Sequence, residues 1–266
     1  MNPQPVKEEI IARYSSASGS DYLSYELENE AAFLKLQQLA LEDAGFFKAG
    51  FYKAGFFKLE KKLFTRAANL RTADPSAADE EPPIAEPPSV LDVGCATGAL
   101  LAFLRGRGWR VTGVEISPCA QYAKNERNLD VRTEPLEKNN FPESGFDAVL
   151  ASHLIEHLND PRSFLLETRR VLKNTGRVFI TTPNISGLQA RLYGGRWRSA
   201  IFDHLYLFSV RTLTALLKST GFKVEKVSTW GGLAAGLAPK PLKKTADFLA
   251  KRMGFGDVMI VRAKKE

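Results

Sequence analysis

The sequence predicts an α/β fold in which a mostly parallel sheet is flanked by helices. From residue 89 onward, short apolar runs alternate with stretches of helical periodicity. The runs are continuously apolar, as expected of parallel strands that are buried on both faces. The chain has 266 residues, of which 44% are hydrophobic, so it can form a substantial core. We therefore expect one large α/β domain with an appendage.

The appendage is predicted at the N-terminus, where residues 1–74 form a helical segment or lid. A linker at residues 75–88, PSAADEEPPIAEPP, separates it from the domain because Pro-rich sequence cannot propagate a helix or a central strand. Within the segment, AGFFKAGFYKAGFFK (44–58) is a pentapeptide written three times. A period of five matches neither helix nor strand. We interpret it as a small duplication in a packed or partly mobile helix; an apolar lid over a ligand is the alternative.

The main domain, residues 89–266, contains six apolar runs that we predict as strands. In chain order they are SVLDVG (89–94), RVTGVEI (110–116), FDAVLAS (146–152), GRVFITT (176–182), FKVEKVST (222–229) and DVMIVRAKK (257–265). Helical periodicity marks LLAFLRGRG (100–108), PRSFLLETRRVLK (161–173) and SVRTLTALLKSTG (209–221). We expect the last two strands to form a hairpin-like antiparallel pair.

A ligand-binding turn follows the first strand, in VLDVGCATGALL (90–101). Small residues there let the backbone approach a ligand, and the helix that begins after the turn offers free N–H groups. Glu115 ends the second strand about twenty residues further on, the distance at which a Rossmann-like site holds ribose hydroxyls with a carboxylate. The dinucleotide fingerprint requires a second glycine where this chain has Ala96, which weakens an NAD interpretation.

The form D-x-G-x-A-x-G resembles motif I of class I S-adenosylmethionine-dependent methyltransferases, and the resemblance extends over residues 89–230. FPESGFDAVLASHLIEHLNDP (141–161), RVLKNTGRVFITTPN (170–184) and HLYLFSVRTLTALLKSTGF (204–222) resemble later motifs of the ubiquinone-type O-methyltransferase group. The resemblance implies a Rossmann-like, mostly parallel seven-stranded sheet, in which FDAVLAS is the fourth strand and GRVFITT the fifth, and S-adenosyl-L-methionine as cofactor. The implied cofactor-binding residues are Asp92, Gly94, Cys95, Ala96, Gly98, Glu115, Ile116, Leu136 and Ser152.

One segment departs from the family pattern. The Gly-Asp pair that often contacts adenine after the third strand is replaced by RTEPLEKNNF (132–141). Glu134 or the backbone around Leu136 would take its place.

HLIEH (153–157) has the H-x-x-E-H spacing of one class of zinc peptidases. A peptidase needs this motif inside a long helix with a further acidic ligand, whereas Pro161 begins a new helix within a few residues. In the ubiquinone-type group the matching E-x-x-E-H positions are metal ligands, and here His153 replaces the first Glu. Imidazole in place of carboxylate disfavours a hard cation. We therefore predict no metal, while a divalent ion on one helical face formed by His153, Glu156 and His157 is the alternative.

Three histidines are candidate catalytic residues: His157, His204 and His153. All are expected in loops after the fourth and fifth strands, at the ligand end of the sheet. Because the sulfonium methyl is already a good electrophile, catalysis needs alignment of the acceptor and removal of its proton. His157 or His204 is the candidate base.

The acceptor is predicted to be a hydroxyl of a small molecule or glycan. A long connection after the fifth strand carries Tyr193 and Trp197, which either pack the loop or form an aromatic platform. The chain lacks the Asn/Asp-Pro-Pro-aromatic string of amino-methyltransferases after the fourth strand, which argues against a nucleic-acid substrate. An NAD-dependent oxidoreductase and a non-catalytic nucleotide-binding module are the alternatives.

The formal net charge is +7, and the tail from residue 231 onward carries eight Lys/Arg against three acids. In that tail Leu242, Ala246, Leu249 and Met253 share one helical face, which we expect to pack against the domain. A second hypothesis is that the basic tail holds an anionic or lipid-linked acceptor, with at most peripheral membrane contact. With two cysteines, no apolar leader and no membrane-spanning run, we expect a cytoplasmic protein without disulfides. The oligomeric state is not predicted.

Overall fold

A computed structural model describes residues 18–47, 86–232 and 240–266. The strands are β1 Ser89–Val93, β2 Arg110–Val114, β3 Val131–Arg132, β4 Phe146–Ser152, β5 Leu172–Pro183, β6 Phe222–Trp230 and β7 Val258–Lys265. The helices are α1 Ser18–Ala44, α2 Ala99–Arg105, α3 Cys119–Arg127, α4 Pro161–Val171, α5 Leu188–Tyr193, α6 Val210–Ser219 and α7 Lys240–Met253. Short 3₁₀ turns lie at Leu136–Lys138, Ile155–His157 and Gly194–Arg196.

The strands form one seven-stranded sheet in the order β3-β2-β1-β4-β5-β7-β6. Neighbouring strands from β3 to β5 are parallel, and β7 pairs antiparallel with both β5 and β6. This confirms the predicted Rossmann-like fold and the antiparallel pair at its end. All five residues of β1 are buried because helices cover both faces of the sheet.

The boundary between α4 and β5 differs from the prediction. The helix ends at Val171, and the strand begins at Leu172, four residues before the predicted start. Leu172 is buried and pairs with Phe146, with a register shift before the next pair. Tertiary pairing therefore extends a strand into sequence whose periodicity indicates a helix.

The N-terminal helix α1 packs on the domain through its C-terminal end. It ends at Ala44, and Gly45 follows with a φ of 81°, the left-handed conformation common after a helix. Phe46 is fully buried, with its ring centroid 4.9 Å from that of Trp109 and 5.1 Å from that of Phe179. The first copy of the pentapeptide thus ends a helix and fills the core. Its other copies, and most of the predicted linker, lie outside the described residues.

Helix α7 contacts β6, as expected for a helix that packs against the domain, but not through Leu249 and Met253 of the predicted face. The side chains of Leu249 and Met253 are 47% and 60% exposed, whereas Ala250 is buried. The carbonyl of Ala250 accepts hydrogen bonds from Phe255 N and Thr229 Oγ1, which turns this small residue towards β6. The other two residues of the predicted face, Leu242 and Ala246, have side chains outside the described set. None of the described helices has the length and apolar character needed to cross a membrane.

Candidate functional site

The turn between β1 and α2 has the backbone geometry expected of a cofactor-binding turn. Gly94, Ala96 and Gly98 all have positive φ, at 77°, 47° and 76°. At Gly98 a Cβ atom would come within 2.5 Å of Leu129 Cδ1, so a larger residue would push the turn away from the side chain of Leu129. Cys95, between them, is buried and its carbonyl accepts from Gly98 N at 2.8 Å.

Glu115 follows β2, and its carboxylate connects the turn after β1 to the loop after β2. One carboxylate oxygen accepts from Ala96 N at 2.9 Å, and the other accepts from Ser117 N at 2.8 Å. Each oxygen retains a lone pair, so the group can still accept from the two hydroxyls of a ribose. Ile116, beside it, is 39% exposed and presents an apolar surface suited to a base.

Asp92 lies under this turn and is 2% exposed. Burial, followed by the charge of Glu115, raises the pKa of Asp92 to about 8. Burial likewise raises the pKa of both free thiols, that of Cys119 to about 11. At neutral pH the group under the turn is mostly a neutral carboxylic acid, and the cysteines are neutral thiols.

Two further predicted cofactor residues, Ser152 and Leu136, differ in how much of each is accessible to a ligand. Ser152 is half-buried at the carboxyl end of β4. Leu136 is 2% exposed and belongs to the core, so only its backbone is available to a ligand. Glu134, the other candidate for adenine, is exposed.

A second cluster of polar side chains follows β4. His153 has a φ of 51°, is exposed, and places Nδ1 3.2 Å from Oε1 of Glu156. Glu156 is fully buried, and its other oxygen accepts from Thr182 Oγ1 at 2.9 Å. Burial alone would raise the pKa of Glu156, but the hydrogen bond and charge of His153 hold it below the ordinary value. Glu156 is therefore a buried carboxylate with fixed oxygens.

His157 and His204 meet beside Glu156, with ring centroids 4.7 Å apart in an edge-to-face arrangement. Nδ1 of His157 lies 3.0 Å from the carbonyl oxygen of Asp203, and Nδ1 of His204 lies 2.7 Å from that of Ser199. A carbonyl only accepts, so each neutral ring carries its proton on Nδ1 and keeps a lone pair on Nε2. Burial, together with His204, lowers the pKa of His157 against the opposing charge of Glu156.

The predicted alignment of His153, Glu156 and His157 on one helical face is wrong. The segment Ile155–His157 is a 3₁₀ turn, and the ring of His157 lies against His204. Within the described part of the chain, the set with ligand atoms all within 4.8 Å of one another is Glu156, His157 and His204. One carboxylate and two imidazoles suit zinc, iron or manganese better than magnesium.

The long connection after β5 is fixed by an acid that the sequence analysis missed. Trp197 is buried and donates from Nε1 to Asp257 Oδ1 at 2.5 Å, while Arg198 donates from Nε to Asp257 Oδ2 at 2.8 Å. Trp197 thus packs the loop and forms no aromatic platform. Tyr193 and the side chain of Arg198 are exposed. The sequence signal for Asp257 was an acidic residue just before an apolar strand, and this pattern does not predict which side chains the acid binds.

Comparison with known proteins supports the family and the fold. A family model described as "Methyltransferase domain" matches residues 62–227, more than half of the chain. The chain is 35% identical over 103 residues to a ubiquinone biosynthesis O-methyltransferase of Pseudomonas entomophila, a match that covers 36% of this chain and 44% of that protein. The matched stretch therefore spans less than half the length of that curated relative.

Two solved structures share the fold at low sequence identity. A SAM-dependent methyltransferase from Thermotoga maritima superposes with a TM-score of 0.53 at 18% identity, covering 81% of this chain and 99% of that one. A geranyl diphosphate C-methyltransferase from Streptomyces coelicolor, in complex with Mg²⁺, geranyl-S-thiolodiphosphate and S-adenosyl-L-homocysteine, gives 0.51 at 19% identity, covering 68% and 70%. Identities this low support the fold alone.

Proposed function

Because the chain belongs to the methyltransferase domain family and is an S-adenosylmethionine-dependent methyltransferase, we propose that it methylates a hydroxyl of a small molecule or glycan. The two alternatives, an NAD-dependent oxidoreductase and a non-catalytic nucleotide-binding module, are not favoured by this family membership.

The pair formed by His157 and His204 is the observation that carries the proposal. Hydrogen bonds at both Nδ1 atoms leave the Nε2 lone pairs available, and the lowered pKa of His157 favours its neutral form, which can accept a proton. A neutral amine attacks a methyl group with its own lone pair, whereas a hydroxyl gains most from a base that removes its proton. A pair of imidazoles with available Nε2 lone pairs at the ligand end of the sheet therefore suits a hydroxyl acceptor.

Each predicted catalytic histidine has a separate role in this proposal. His157 removes the hydroxyl proton at Nε2, and His204 packs against its ring and offers a second acceptor. His153 and Thr182 hold Glu156, whose buried carboxylate lies close enough to His157 for its charge to act on that ring. The cofactor supplies the electrophilic methyl group. A metal ion on Glu156, His157 and His204 would bind the same lone pairs and lower the pKa of the hydroxyl instead.

The acceptor side of the proposal draws on the loop after β5. The side chain of Arg198 is exposed, but its guanidinium is already paired with Asp257, so its role in the proposal is to fix the loop and not to bind an anionic acceptor. The name of the relatives, O-methyltransferases of ubiquinone biosynthesis, supports an oxygen acceptor but does not identify it, since the match covers less than half of their length.

The test compares wild type with His157→Ala, His204→Ala and His157→Gln. Each protein is given methyl-tritiated S-adenosylmethionine and a panel of phenols, catechols and glycans, and the methylated atom is identified by mass spectrometry. We expect turnover to fall by about 10²- to 10⁴-fold in His157→Ala, as for loss of a general base. His157→Gln keeps a donor for Asp203 without a base, so it should be equally slow.

Two readouts distinguish loss of the base from loss of the site. Calorimetric affinity for S-adenosylhomocysteine should stay unchanged in all three variants. In wild type the acidic limb of kcat/KM should lie below pH 6.5, because the pKa of His157 is lowered and its base form persists to lower pH. Transfer of the methyl group to nitrogen or carbon, or full turnover in both alanine variants, would refute the proposal.

A further inference from the structure

Helix α1 presents a row of polar side chains on the face towards the cofactor turn. Tyr22, Glu26 and Glu30 follow one another at intervals of four, so they lie on one side of the helix. All three are half-buried, whereas Glu28 between them is exposed. Through Glu30, this face meets the domain at the turn after β1.

Glu30 connects the helix directly to the turn. Its Oε1 accepts from the hydroxyl of Thr97 at 2.8 Å and from Nη2 of Arg127 at 2.5 Å. Thr97 is 3% exposed and lies between Ala96 and Gly98. Arg127 ends α3, the helix that follows Glu115. One carboxylate thus links α1 to both segments that surround the predicted cofactor.

The C-terminal end of α1 is held independently. Phe46 fills the core against Trp109, Arg262 donates to the carbonyl of Ala44 at 2.8 Å, and Lys251 forms an ion pair with Asp43. With the helix held at this end and at Glu30, the position of its first turns is determined.

Those first turns bring a second acid towards Glu115. Tyr22 is hydrogen-bonded to Glu26, and both lie close enough to Glu115 for its charge to act on them. Burial raises the pKa of Glu26, and the charges of Glu115 and Glu30 raise it further against the hydrogen bond with Tyr22. Neighbouring carboxyl groups are stabilised by hydrogen-bond donors, one to each group. A ribose supplies two such donors in its adjacent hydroxyls.

We propose that Glu26, which is hydrogen-bonded to Tyr22, is a binding residue for the ribose of S-adenosylmethionine, and that Glu30 is the positioning residue that seats α1 on the turn. The helix then forms one wall of the cofactor site. This inference does not depend on which atom accepts the methyl group.

The experiment is calorimetric titration with S-adenosylhomocysteine, which has no methyl group to transfer. Glu26→Ala removes an acceptor for a ribose hydroxyl and should weaken binding about tenfold. Glu26→Gln keeps a carbonyl acceptor and should lose less than about threefold. Glu30→Ala should weaken binding about fivefold through the loosened helix, and Glu28→Ala, on the exposed side, should match wild type.

Hydrogen exchange of residues 18–34 provides the second readout. S-adenosylhomocysteine should slow exchange there in wild type and Glu28→Ala, and much less in Glu26→Ala and Glu30→Ala. Glu30→Gln, which keeps an acceptor for Thr97, replaces Glu30→Ala if that variant fails to fold. Affinities of Glu26→Ala and the Glu30 variant within twofold of wild type would overturn the proposal, as would unchanged exchange of α1 on adding the ligand to wild type.

Discussion

At the scale of single residues, the site contains two buried acids whose pKa values shift in opposite directions. Asp92 is buried beneath the turn with Glu115 beside it, and its pKa rises to about 8. Glu156 is equally buried, yet hydrogen bonding and the charge of His153 hold its pKa below the ordinary value. Burial alone does not set the charge of a carboxyl group, because the partners that the fold places around it decide the sign of the shift.

Asp92→Asn should remove a pH dependence of stability. The unfolded carboxyl has a pKa of about 3.9, so between about pH 4 and pH 8 the folded state binds one more proton than the unfolded state. Stability conferred by the protonated Asp92 is therefore lost as pH rises through this window. We expect the free energy of unfolding of Asp92→Asn, relative to wild type, to increase from pH 5 to pH 8 in urea titrations. A constant difference across that range would contradict the raised pKa.

At the scale of elements, the acceptor loop is ordered by a strand that is distant in sequence. Asp257 precedes β7 and holds Trp197 and Arg198 through its two oxygens. Asn184, at the end of β5, is also fully buried and donates to the carbonyl of Gly256 at 2.9 Å. The loop that begins after β5 is thus attached to the turn before β7 at both of these points.

Asp257→Asn should loosen this loop without affecting the cofactor turn. The change removes the ion pair with Arg198 and the charge on the bond from Trp197, so we expect about 1 to 3 kcal/mol lower stability in urea unfolding. Turnover should fall while affinity for S-adenosylhomocysteine stays the same. Leu192→Ala, at a residue 61% exposed, is the matched loop control and should change stability by less than about 0.5 kcal/mol. Weakened cofactor affinity in Asp257→Asn would show that the two regions are coupled.

At the scale of the whole molecule, strand order brings the two halves of the site together. β1 lies between β2 and β4, so the cofactor turn, Glu115 and Ser152 occur at the carboxyl ends of three adjacent parallel strands. Open α/β sheets bind ligands at this edge. Helix α1 contacts the turn through Glu30, and the loop after β5 begins at the same edge.

Cofactor binding should stabilise the whole fold selectively. S-adenosylmethionine or S-adenosylhomocysteine at about a hundred times its dissociation constant should add about 2.7 kcal/mol to the free energy of unfolding. The corresponding rise in melting temperature should be absent with NAD, because the backbone at Ala96 lacks the second glycine of the dinucleotide fingerprint. In Glu115→Ala, neither S-adenosylmethionine nor S-adenosylhomocysteine should raise the melting temperature. Stabilisation by NAD alone would contradict the cofactor assignment to the turn.

Local sequence patterns were sufficient for six of the seven strands, the turn and the acid that follows β2, whereas the two-residue strand β3 was expected only from the family resemblance. Continuous apolar runs, the small residues from Gly94 to Gly98 and the spacing to Glu115 are local patterns, and local patterns determine strands and turns directly. The three histidines were correctly expected after the fourth and fifth strands, since the ends of parallel strands meet at one edge.

Only the tertiary structure decided which side chains meet. It placed His204 with Glu156 and His157, turned Leu249 and Met253 of α7 outwards, and buried Trp197 on Asp257. It also laid α1 on the turn through Glu30 and Thr97. These contacts join residues far apart in the chain, and their geometry depends on strand order, helix rotation and side-chain conformation, none of which is encoded in the spacing of a local motif.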